Sequence, residues 1–145
     1  MYKKQQSGRS MIEMVGVLAV MGLITAGAFV LISSANSSSR RNRVIDDIMN
    51  IAAAVRSVYA DHETFPTIDS ATIWKVSGRT DATGPYTGSS YVISASGTQF
   101  TIKLKGMPDE IDCNALNTKQ WKDAVSKTCN KSDKEGQYFS VTFNK

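Results

Sequence analysis

Histidine occurs once in this chain, at His62, so neither a catalytic triad nor a multi-histidine metal site can be built within one copy. Flanked by Asp61 and Glu63, it reads as an exposed polar residue. Cysteine occurs twice, and neither Cys113 nor Cys129 sits in a CxxC pair, which removes thiol redox catalysis and the usual zinc spacings. No GxSxG, phosphate-binding loop or dinucleotide fingerprint is present. No catalytic residue, cofactor or metal ligand is assigned. An excess of charge of one sign is lacking too: the net charge is +4, and fourteen basic against twelve acidic residues follow Ser33. That balance describes a solvated surface of mixed sign and does not indicate nucleic acid.

Charge is absent altogether from residues 14–32, which also contain no proline, whereas everything after Ser33 is polar or mixed. Nineteen residues at about 1.5 Å each reach nearly 30 Å, the hydrocarbon thickness of a bilayer. Lys3, Lys4 and Arg9 precede the run and place the N-terminus in the cytoplasm by the positive-inside rule, against a competing cluster at Arg40, Arg41 and Arg43. Two rival readings remain. A secretory signal could be cut after Ala35, where Ser33 and Ala35 have the small-residue spacing, but the run exceeds an ordinary signal core and holds Glu13 at its start. A plain membrane anchor would leave Glu13 at the interface, reaching headgroups and water. If the run crosses a membrane, Cys113 and Cys129 are exported. Paired, they would enclose fifteen residues, a closure that stabilises by roughly 3 kcal/mol on chain-entropy grounds. Two free buried thiols are the alternative.

The stretch "SGRSMIEMVGVLAVMG", residues 7–22, resembles the N-terminus of type IV prepilins and pseudopilins. The resemblance implies a leader, Met1 to Gly8, removed by a prepilin peptidase between Gly8 and Arg9. It makes Glu13 the fifth residue of the mature chain, and Ala19 and Gly22 fall where the family commonly has Ala and Gly. Arg9 stands where the family usually has Phe or Met, the residue that the same peptidase N-methylates. A proline common in one branch of the family is missing here, leaving Gly16, Gly22 and Gly27 as the weak points of the helix. The resemblance also gives Glu13 a role: the new amine of Arg9 on a neighbouring subunit neutralises it, so assembly offsets the cost of a carboxylate in lipid.

Beyond the run, "SSANSSS" reads alone as a linker, while the resemblance implies a helix passing through it. Val44, Ile48, Ile51, Val55 and Val58 recur at helical spacing, with Ala52 and Tyr59 widening the stripe and Arg43 positioned to pair with Asp47. Pro66 closes this segment. Residues 67–90 read as an irregular loop anchored by Ile73, Trp74 and Val76. Tyr91–Ala95 and Gln99–Lys105 form a hairpin across "SGT", and Tyr138–Phe143 a last strand with Phe139, Val141 and Phe143 on one side. Residues 109–127 read as helical or mixed, with Leu116, Trp121 and Val125 buried. The acids Asp109, Glu110 and Asp112, and Asp133 with Glu135, read as solvated. Lysines interleaved in "NKSDKEG" oppose a calcium site of the kind known in major pseudopilins.

The predicted fold class is α+β, a long N-terminal helix packed on a small antiparallel sheet with one disulfide. Its expected parts are a leader (1–8), a membrane and polymerisation helix (9–32), an amphipathic second half (33–66) and a β-rich head (67–145). The resemblance implies a non-enzymatic subunit of a helical homopolymer, held in the bacterial inner membrane and then in a surface filament. Expected partners are membrane lipid, the prepilin peptidase and an inner-membrane assembly platform. A pseudopilin of a type II secretion system, or a non-assembling single-pass protein with a ligand-binding head, is the alternative.

Overall fold

A computed structural model describes residues 7–132, 134 and 136–145, and side chains from Met11 onward within that range. Residues 1–6 of the expected leader, and Asp133 and Glu135, lie outside the described residues. The first element is α1 (Ser7–Val58), and the chain divides into two units between Ser38 and Ser39.

In the first unit, α1 is apolar on every side from Met14 to Ile32. A segment so poor in polar side chains has little reason to be helical in water. In lipid it must be, because each backbone N–H needs a partner within the chain. Thr25 follows the same logic, its hydroxyl donating to the Met21 carbonyl at 2.7 Å.

The second unit opens with the amphipathic part of α1. Val44, Ile48, Ile51, Ala52, Val55 and Tyr59 are buried, while Val58 of the expected stripe is half-buried against them, so the spacing read from the sequence is the core stripe. The helix ends at Val58, before Pro66, and an aromatic anchor turns the chain. Tyr59 stacks edge-on against Phe65 and accepts a hydrogen bond from the Asp69 N–H at 2.8 Å, while the Phe65 N–H donates to the Gly97 carbonyl at 2.9 Å. That last bond fastens the exit of the helix to a hairpin turn.

The segment expected to be an irregular loop contains α2 (Ser70–Val76). Asp69 caps it, accepting from Ala71 N and from the Thr72 hydroxyl, and the Thr72 bond is the main reason its carboxyl lies below the usual range. Of the three predicted anchors, Ile73 is buried, Trp74 half-buried and Val76 exposed.

Four strands follow: β1 (Ser90–Ser96), β2 (Gln99–Met107), β3 (Ala124–Ser132) and β4 (Gly136–Asn144), all antiparallel in the order β1-β2-β4-β3. The predicted hairpin and last strand are there. β3 is the strand the sequence did not reveal, and α3 (Glu110–Thr118) precedes it, so the stretch read as helical or mixed resolves into helix, turn and edge strand. Leu116 and Trp121 are buried, but Val125 is half exposed on β3, because an edge strand beginning with a register shift turns it away from the core. Phe139, Val141 and Phe143 of β4 and Phe100, Ile102 and Leu104 of β2 face inward and meet the α1 stripe in one core.

Gly106 sits at the bulge of β2, with φ +73° and its Cα so close to the loop before β1 that an added Cβ would lie 2.8 Å from the Gly88 carbonyl. Both the backbone angle and the contact reject a side chain, so Gly106→Ala destabilises the head by about 2 kcal/mol in a denaturant titration. An unchanged midpoint would contradict that account.

Candidate functional site

Eighteen large hydrophobic side chains are exposed among the described residues, and fourteen of them lie between Met11 and Ile32. They are 55–77% exposed, and the helix bearing them is long and apolar enough to cross a membrane. A core helix buries one stripe; this stretch presents hydrocarbon all around, which requires lipid or other apolar helices as its surroundings. Such a surface left in water is unfavourable by about 25 cal/mol per Å². Glu13 is exposed among Met11, Ile12, Met14 and Val15. Arg9 lies four residues before it in α1, and its side chain is outside the described residues. Gly8 and Arg9, the pair at which cleavage is expected, fall in the first turn of α1. Gly16, Gly22 and Gly27 have open space around them.

Three ion pairs in the second unit were not anticipated, one of them between Arg56 and the exposed Asp123 at 3.7 Å. Arg41 on α1 reaches Asp112 on α3 at 3.2 Å, and Asp112 is buried. Asp112 thus departs from the solvated reading, and its backbone N–H is taken by the capping carboxylate of Asp109 at 2.9 Å. Asp47 was expected to pair with Arg43. It is held instead by Arg79 at 2.6 Å and by the Tyr91 hydroxyl at 3.0 Å, with the Arg79 guanidinium stacked 5.0 Å over the Tyr91 ring. Arg79 also donates to the Thr83 carbonyl, tying the loop before β1 to the helix. Burial first, then the Asp47 charge, pushes Tyr91 above the ordinary tyrosine range, so it stays a hydrogen-bond donor. Arg56 works likewise at the other end, donating to the Asn144 carbonyl at 3.1 Å and lying over Phe100 and Phe143.

The expected disulfide is present: Cys113 of α3 is joined to Cys129 of β3. Trp121, between them, donates from its indole N–H to the Leu116 carbonyl at 3.0 Å and packs on Phe139. His62 is exposed beside Tyr59.

One unit is thus an exposed apolar helix with a carboxylate near its start, and the other carries a disulfide and a core of its own. Over 81 residues the chain is 30% identical to the major structural subunit of the bundle-forming pilus of Escherichia coli O127:H6 (strain E2348/69 / EPEC), and equally to that of Escherichia coli O111:H-. The chain is similar to a pilus subunit. The matched residues make up 56% of this chain and 42% of each relative, so the match spans less than half the length of those curated proteins. No family model matches the chain, and no solved structure matches it significantly.

Proposed function

We propose that this chain is a structural subunit of a type IV pilus-like surface filament, with no catalytic activity of its own. The observation that carries the reading is the all-round apolar surface of Met11–Ile32 with Glu13 at its start. Such a helix is stable in a bilayer, and on leaving it must pack against other copies. In this scheme the leader 1–8 is removed by a prepilin peptidase between Gly8 and Arg9. Residues 9–32 then serve as membrane anchor and polymerisation element, 33–66 as the amphipathic second half of the helix, and 67–145 as the globular β-rich head. An inner-membrane platform extracts the subunit into the growing homopolymer, where the Arg9 amine of one copy neutralises Glu13 of the next. The names of the two relatives support a structural role.

N-terminal sequencing of the working protein tests the scheme. Arg9 as first residue is the expected result; Asn36 would mean an ordinary signal peptide, and an uncut chain a simple anchor. Electron microscopy of sheared material, with mass identification of its main protein, separates a long surface fibre from the short periplasmic fibre of a pseudopilin.

A further inference from the structure

Arg40, Arg41 and Arg43 follow the apolar run on its exported side, where the positive-inside rule disfavours arginine close to a span. The three are not used alike. Arg41 is committed to Asp112, whereas Arg40 and Arg43 are exposed, and among the described residues neither forms an ion pair. Asp47, one helical turn after Arg43, is occupied by Arg79 and Tyr91. Two cations are thus left toward solvent near the end of a hydrocarbon-length segment.

The chain between limits how far from lipid they can be. Seven residues, Ser33 to Ser39, separate Ile32 from Arg40, and none is charged or bulky. As helix, that tether sets the Arg40 Cα about 12 Å past Ile32, and as one turn more the Arg43 Cα at about 16 Å. Helical side chains lean back toward the N-terminus, and arginine extends its charge several ångströms along that direction. Headgroups occupy roughly 5–7 Å beyond the hydrocarbon, and attraction to a charged surface persists over about 8 Å more at physiological salt. Both guanidinium groups therefore come within reach of lipid phosphate, and the first acid after the run, Asp46, stands farther off.

We infer that Arg40 and Arg43 dock the embedded subunit on anionic phospholipid headgroups of the leaflet facing away from the N-terminus. The inference rests on the membrane stage of the proposed function. Charge pairing to lipid phosphate fixes the depth of the subunit while Glu13 awaits its partner, and the contact is lost when the subunit leaves the bilayer.

The test uses the full chain in vesicles of phosphatidylcholine alone, or with phosphatidylglycerol added, treated with phenylglyoxal. Modification of each arginine is read by mass spectrometry, with Arg56 as internal reference. The expected result is modification of Arg40 and Arg43 slowed about fivefold by phosphatidylglycerol and restored by high salt, with Arg56 unaffected. Equal rates in both vesicles overturn the inference. So does the same protection from millimolar inorganic phosphate over phosphatidylcholine, which would assign the contact to a free anion. A chain that does not float with vesicles overturns the membrane reading itself, and the docking with it.

Discussion

Glu13→Ala reduces filament yield by at least about tenfold, the equivalent of roughly 1.4 kcal/mol per assembly step, and leaves the amount of subunit in the membrane unchanged. The two halves of that result have separate causes. Insertion depends on the fourteen exposed apolar side chains of Met11–Ile32, and removing one carboxylate from their border only makes the segment more apolar. Assembly, in the proposed scheme, depends on the carboxylate. An acid at a helix centre in lipid is unfavourable by roughly 2.5–3.5 kcal/mol on insertion scales, and a cation brought beside it in low dielectric recovers much of that. Only a neighbouring copy stacked in one axial register brings its terminal amine there. The alanine variant keeps the apolar attraction but loses both the drive and the register. Immunoblots of sheared filament against membrane fraction measure it, and wild-type filament yield with Glu13→Ala would refute the pairing.

Replacing both Cys113 and Cys129 by Ser lowers the stability of the head by about 3 kcal/mol, which for a unit of 107 residues (39 to 145) is a fall of roughly 10–20 °C in its melting midpoint. The size follows from how little else holds β3. Its side chains are exposed except for the half-buried Ala124, Cys129 and Ser132, so outside its ladder with β4 the strand has almost no apolar burial to keep it in place. Cys113, by contrast, is fully buried in α3. The bridge therefore transmits the anchorage of α3 to an edge strand that lacks its own. Thermal melts of the double variant, and of the wild type with reductant, should agree with each other. A shift under 3 °C in both would mean that the ladder alone secures β3.

Much of the architecture was legible because burial left a period in the sequence. The α1 stripe, the β1–β2 hairpin and the alternation Phe139, Val141, Phe143 each record which side meets the core. β3 recorded nothing, since "AVSKTCNKS" is exposed on both faces and alternates in no way. Val125 was misplaced for the same reason. The ion pairs were illegible on other grounds: Arg41 and Asp112 are 71 residues apart, and a helix-surface rule that couples Arg43 to Asp47 takes no account of Arg79 arriving from a loop. Of the candidate site, the apolar run and its acid could be read from composition alone. The roles proposed for Gly8, Arg9 and Glu13 came from resemblance, because they would concern a peptidase and a second copy, and local periodicity carries no trace of either.

All twenty-one residues of the hydrophobic core lie after Ser39, the first being Val44. A shortened version beginning at Ser39 would accordingly keep every interior contact while shedding the segment that demands detergent. It offers a water-soluble immunogen or crystallisation target.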